Sequence, residues 1–116
     1  MSVAQMGISS WAQPAGVDLT GKLFYFATVD SSGNIIVNLA STGPVIGVII
    51  EEATSGNAAS VQTDGIAKVQ ANATIAPGQQ IASDGTGQAI VYASGIALGV
   101  CLTGGVAGNI ITMKLY

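Results

Sequence analysis

Apolar residues along this chain come in short runs, and each run is closed by a cluster of Gly, Asn, Asp, Ser or Pro. Leu23–Val29 (LFYFATV) is aromatic and β-branched, DSSGN follows as a turn, and Asn34–Leu39 (NIIVNL) resumes the extended pattern, which predicts a hairpin. After Gly43-Pro44, the run Val45–Ile50 (VIGVII) is almost entirely apolar. It predicts a strand buried on both faces, with Gly47 marking a bulge or a close backbone approach. Ala58–Thr63 and Ile66–Gln70 flank Asp64-Gly65, a strong short hairpin signal. A turn around Pro77-Gly78 leads into a short strand through Ile81, and Ala89–Tyr92, Ile96–Leu102 and Asn109–Tyr116 complete the series. No long segment keeps helical spacing without a Gly or Pro interruption, so about eight or nine strands and no helix are expected, as in a small all-β barrel or sandwich. Residues 1–20 carry little pattern and hold the only Trp. They are expected to form an extended N-terminal arm on a single β domain spanning 21–116.

The pattern is said twice. Asp30-Ser-Ser-Gly33 with Ile35, Ile36 and Val37 matches Asp84-Gly-Thr-Gly87 with Ala89, Ile90 and Val91, 54 residues on. Ile46-Gly47-Val48 then matches Leu98-Gly99-Val100, and Gly56-Asn57 matches Gly108-Asn109, both 52 residues on. Turn, strand, glycine-containing strand, turn and strand recur in the same order, which predicts two related β units. Two copies fall short of the three or more that an open array usually needs, so the units are expected to close into one compact body.

Composition narrows what such a body can do. Only 8% of the 116 residues are charged, against about 25% in ordinary domains, while 49% are hydrophobic. The apolar residues are too broken by 16 glycines to give the run of about 20 that a membrane helix needs. No Lys or Arg precedes Lys22 and no continuous apolar core lies before it, so a secretory signal is not expected and the chain reads as made in the cytoplasm. The net charge of −3 and three widely separated lysines, Lys22, Lys68 and Lys114, argue against nucleic acid as a partner.

Reactive chemistry is scarce. Without histidine there is no Ser-His-Asp or Cys-His arrangement, and one cysteine cannot build a zinc site. Cys101 lies inside the apolar run IALGVCL and reads as a buried, inert thiol. Asp30, Asp64 and Asp84 stand just before Gly33, Gly65 and Gly87, where aspartate bonds its own backbone in a turn; a ligand role is the sharper alternative. Glu51-Glu52 reads as a solvated strand end or as a contact to a lysine of another subunit. Trp11 either folds back on its own domain or anchors a partner, a use for which Trp is favoured. No catalytic residue, cofactor site or metal site is expected.

The ordered pieces also carry a resemblance. Ala15-Gly-Val-Asp-Leu19, the Lys22-plus-aromatic first strand, Ile46-Gly47-Val48, Asp64-Gly-Ile-Ala-Lys-Val69, Ala76-Pro-Gly78 before Ser83-Asp84, and Leu98-Gly99-Val100 follow one another from Ala15 to Tyr116. In this order they resemble the small capsid decoration, or cement, proteins of tailed bacteriophages. The resemblance implies a compact barrel or β-clip-like body and no enzyme activity. It further implies assembly as a homotrimer on threefold or quasi-threefold positions outside an expanded icosahedral shell, with the major capsid protein and other copies of itself as partners. Under that reading the arm, through Met6, Ile8 and Trp11, contacts the capsid. A self-assembling fibre or surface component and a glycan-binding β module are the alternatives from other classes.

Overall fold

The computed structural model of the protein describes residues 10–40 and 43–116. These form ten strands: β1 (Ser10–Pro14), β2 (Phe26–Val29), β3 (Ile35–Val37), β4 (Gly47–Glu51), β5 (Ala58–Gln62), β6 (Ile66–Gln70), β7 (Gln80–Ser83), β8 (Ala89–Val91), β9 (Gly99–Thr103) and β10 (Ile110–Leu115). There is no helix among the described residues. The strands make two five-stranded sheets, ordered β1-β5-β4-β2-β3 and β6-β10-β9-β7-β8. The second order is the first advanced by five strands, and the strands within both sheets pair antiparallel. Each sheet is thus one copy of the repeated unit. The sheets stay open, with β1 and β3 or β6 and β8 at their edges, so the expected barrel closure does not occur.

The equivalence of the units extends to single hydrogen bonds. Asp30 N–H donates to Asn34 O and Asp84 N–H to Gln88 O, both at 2.9 Å, closing the β2–β3 and β7–β8 hairpins. Ala15 N–H reaches Asn57 O at 2.8 Å, and Ala71 N–H reaches Asn109 O at 2.9 Å. The repeated Gly-Val strand has a steric cause. A Cβ on Gly47 would sit on the carbonyl oxygen of Gln62, and one on Gly99 on that of Lys114. Both glycines lie where β4 and β9 cross close over a neighbouring strand. In each unit the ladder also slips by one residue, between Ile49 and Glu51 on β4 and between Cys101 and Thr103 on β9. The surplus residues, Ile50 and Leu102, face outward at 38% and 40% exposure.

Each unit has its own core. Ala27, Ile35, Ile49, Ala59 and Val61, with Ala15 and Leu19, fill the first. Ile81, Ala89, Cys101, Ile111 and Met113, with Ala71 and Ile75, fill the second, and Phe26 and Val48 of the first unit are buried there with them. Alternation along β2 and β4 explains this, because neighbours such as Phe26 and Ala27 point to opposite faces. The β2–β4 region is therefore apolar on both sides, as the run VIGVII predicts.

Three expectations are corrected. Asp64-Gly65 does not close a hairpin: β5 pairs with β1 and β4 and has no free edge, while β6 pairs with β10, so this turn carries the chain from one sheet to the other. The first aromatic strand begins at Phe26 rather than Leu23, because Lys22 N–H bonds Leu19 O and Tyr25 N–H bonds Lys22 O in successive turns. Of the segment 1–20 expected as an arm, residues 10–20 run through the body. Ser10–Pro14 is an edge strand paired with β5, Ala15 is 2% exposed and Leu19 is fully buried. The sequence SWAQP hides this strand, since it lacks alternation and ends in proline, which an edge strand tolerates.

Candidate functional site

What the fold offers outward is apolar surface and well-satisfied turns. Trp11 lies on β1 opposite Val61 and is 38% exposed. With Ser10, Val29, Ile46 and Thr63 it lines an open, mainly apolar hollow of about 440 Å³. Its backbone belongs to the sheet, so the residue folds on its own domain, while its side chain borders the hollow. Met6 and Ile8 lie outside the described residues.

A second apolar area lies on the other unit. Tyr92, Ile96 and Tyr116 are exposed there, and Gln80 Nε2–H donates to Tyr116 Oη at 2.7 Å, fixing the terminal ring. Residues Ile96, Leu98 and Tyr116 also border a smaller cleft of about 220 Å³ with Val45, Ile46 and Thr63, at the seam between the units. Sequence reading did not single out this area. The signal was present in the repeat: where the first unit has Phe24 and Phe26, the second has Gly78 and Gln80, so the second unit presents a different outer face.

The turn residues are occupied by backbone work. Asp30 Oδ1 accepts the N–H groups of Ser32 and Asn34 at 2.9 and 3.0 Å. Asp84 Oδ1 accepts those of Thr86 and Gln88 at 2.8 and 3.0 Å, and its Oδ2 accepts Asn72 Nδ2–H at 2.7 Å. Burial works to raise the Asp84 pKa, but the hydrogen bonds from Asn72, Thr86 and the Gln88 and Thr86 amides together hold it below the usual carboxylate value. Gly33, Gly65 and Gly87 take positive φ, at 82°, 84° and 87°. Asp64 contributes its carbonyl, which accepts Gln62 Nε2–H at 2.9 Å. Glu51 accepts Ser60 Oγ–H and Glu52 accepts the amide of Gly21, so both glutamates serve the local backbone and its neighbours.

The described residues hold one cysteine, six carboxylates and no histidine. No group of three or more His, Cys, Asp or Glu side chains converges there as a metal site would require. Cys101 is 1% exposed, and burial raises its thiol pKa, away from the thiolate a nucleophile needs. No helix among the described residues is long and apolar enough to cross a membrane.

Fold and surface together describe a two-unit all-β body with apolar patches on its outside. No protein-family model and no curated protein matches the chain. Among solved structures, it is similar to the N base of the head fiber protein gp8.5 of bacteriophage phi29, with a TM-score of 0.74 and 15% identity over 92% of each chain. At that identity the likeness is one of fold.

Proposed function

We propose that the chain is a structural protein of a tailed-bacteriophage virion, which binds the outside of the expanded capsid as a homotrimer at threefold or quasi-threefold sites and stabilises the shell. The observation that carries this reading is the shared fold over 92% of both chains with the base of a phage head fiber. The ordered motifs from Ala15 to Tyr116 and their resemblance to decoration proteins support the capsid-bound form of it. The surface supports it too. With only 8% charged residues, and with Leu39, Ile66 and Tyr116 each more than 60% exposed, the body carries apolar area that partners would cover.

The mechanism is linkage. A protein that binds the expanded shell and not its precursor stabilises the expanded state by its binding free energy, and many copies multiply the effect. No reaction and no cofactor enter. The partners are the major capsid protein and other copies of this chain, not nucleic acid or a membrane. Met6, Ile8 and Trp11 are assigned to the shell contact. Deleting residues 2–9 leaves every described strand, β1 from Ser10 included, in the chain.

The test is sedimentation of native particles from the source lysate, followed by quantification of this chain against the major capsid protein. A fixed, near-stoichiometric ratio is expected, and deletion of residues 2–9 should lower it while the far-ultraviolet spectrum stays β. Unchanged attachment of the deletion variant would remove the arm from the contact. Protein found free or in filaments, and absent from particles, would bring forward the second reading, a self-assembling fibre component, which the head-fiber likeness favours over a glycan-binding module.

A further inference from the structure

The two units hold each other by insertion. The first unit inserts Phe26 and Val48 into the core of the second, with Phe24 and Val45 packed beside them. Phe26 N–H donates to Gly87 O at 2.7 Å, and Asn38 Nδ2–H donates to Ser83 Oγ at 2.9 Å with both side chains buried. A Cβ on Gly87 would run into Val37, Asn38 and Phe26. The second unit is thus a socket, and the β2–β4 face of the first unit fills it.

The first unit has the same socket, and no described residue fills it. Trp11, Val29, Ile46 and Thr63 occupy the places of Ala67, Ser83, Leu98 and Leu115, and they line the 440 Å³ hollow. Gly33, the counterpart of Gly87, has nothing within 4 Å of where a Cβ would be. Conversely, the corresponding face of the second unit fills no socket among the described residues. Gln80, Val91, Tyr92 and Val100 stand where Phe26, Val37, Asn38 and Val48 stand in the first; Gln80 and Tyr92 are exposed and the two valines half-buried.

We infer that a second copy of this chain fills the hollow with the β7–β9 face of its own second unit, repeating between chains the head-to-tail packing that the two units make within one. The hollow and the inserting face carry no charged residue, so an uncharged, apolar occupant fits. The buried polar pair Asn38–Ser83 inside the chain becomes the apolar pair Tyr92–Val29 between chains. The surface is also continuous with an interface already built, since Ile46 and Thr63 line both the hollow and the seam between the units. One bond is not repeated: Gln70 N–H donates to Phe24 O inside the chain, and its counterpart Pro14 has no N–H. Contacts between side chains therefore carry more of the intermolecular version. A head-to-tail contact uses different patches on its two partners and generates a ring when its rotation closes. The inference rests on the reading of the chain as a homo-oligomer, but needs no capsid; within it Trp11 faces the second copy, and the shell contact of the arm falls to Met6 and Ile8.

The experiment uses the purified full-length chain with Cys101, which is buried, left in place. V29C and Y92C variants are treated with a short bis-maleimide, separately and mixed, and sedimentation velocity records the oligomeric state of each. The expected result is a covalent dimer in the V29C plus Y92C mixture, at least tenfold more abundant than in either variant alone or in the parent. The Y92D variant, altered only on an exposed side chain, should sediment as monomer with an unchanged circular dichroism spectrum. Dimers of V29C with itself would show a twofold contact and overturn the inference. An oligomer that gives no mixed cross-link would place the interface elsewhere, overturning the inference while leaving the trimer reading intact. A monomer at all concentrations would overturn both the inference and the trimer, leaving particle sedimentation to decide attachment to the shell.

Discussion

Phe24 and Gly78 stand at the same place in the two units, and both have positive φ, 69° and 89°. Phe24 is the only non-glycine among the described residues in that region. The left-handed conformation costs a residue with a Cβ about 1–2 kcal/mol. The bonds on either side hold it there: its amide donates to Ile49 O at 2.7 Å and its carbonyl accepts Gln70 N–H at 2.9 Å, while the ring packs on the second core with Lys68 Nζ 5.9 Å from its centroid. The strain sits where the first unit enters the second, so the conformation serves the interface between units.

That balance predicts an inverted ranking at position 24. Phe24→Ala keeps the strain and loses the packing, and should cost roughly 2–3 kcal/mol for this half-buried ring. Phe24→Gly loses the same packing but relieves the strain, and should be about 1 kcal/mol more stable than the alanine variant, the reverse of the usual order within β structure. Urea unfolding of the two variants measures the difference; alanine at or above glycine would contradict it.

Glycines in this fold are required for two separable reasons, and substitution distinguishes them. Gly47→Ala and Gly99→Ala each push a Cβ onto a backbone carbonyl, of Gln62 or Lys114, that cannot move without opening the sheet. Each should cost more than about 3 kcal/mol or abolish soluble expression. Gly33→Ala meets no atom within 4 Å in the monomer and pays only for its φ of 82°, about 1–2 kcal/mol. Melting temperatures should fall in that order, and a Gly47→Ala protein that melts near the parent would refute the close-approach argument.

Much of this architecture was legible because the repeat writes its turns in unambiguous residues. Asp30 to Gly33 and Asp84 to Gly87 locate both hairpins, and the paired Gly47 and Gly99 locate the crowded crossings. What was not legible depends on competition between strands. Asp64-Gly65 reads as a hairpin locally, yet β5 has both edges taken by β1 and β4, which no local signal states. SWAQP lacks strand periodicity because neither of its faces is buried, and the buried residues of this segment, Ala15 and Leu19, lie beyond the strand. The open hollow could not be read from Trp11 alone; it emerges only when each residue of one unit is compared with its counterpart in the other, where Thr63 answers to Leu115 and Trp11 to Ala67.

Asn38 and Ser83 are the buried polar residues of the described fold, both 2% exposed, and they join the units. Asn38 Nδ2 donates to Ser83 Oγ and to Ala40 O, and Ser83 Oγ–H donates to Asp84 O. Removing one partner leaves the other buried with a bond unmade, at a cost of about 1–3 kcal/mol. Ser83→Ala and Asn38→Ala should each fall in that range, and the double variant should cost clearly less than the sum of the two, because the shared bond is lost once. A double-mutant cycle by chemical denaturation tests it; strict additivity would mean that the pair does not couple the units.

Acid should weaken the fold through Asp84 in a defined window. Its carboxyl pKa lies below the ordinary 3.8, because hydrogen bonds from Asn72, Thr86 and Gln88 outweigh the opposing effect of burial. A carboxyl with a lower pKa folded than unfolded stabilises fully above its unfolded value and loses that stabilisation as the pH falls through the folded one. Stability from this group should therefore be level from neutrality down to about pH 5 and drop below about pH 4. Asp84→Asn removes the charge but keeps an oxygen to accept the Gln88 and Thr86 amides, and solvent screens this partly exposed carboxylate, so it should cost no more than about 1 kcal/mol at pH 7. That gap should narrow as the pH falls through the folded pKa and the parent carboxylate is protonated. Part of the acid sensitivity should remain in the variant, since Thr20 lowers the pKa of the fully exposed Asp18 through side-chain and backbone hydrogen bonds. Urea midpoints across this pH range for the parent and Asp84→Asn measure the gap directly, and a difference that stays constant from pH 7 to pH 2 would show that Asp84 stabilises its hairpin without its charge.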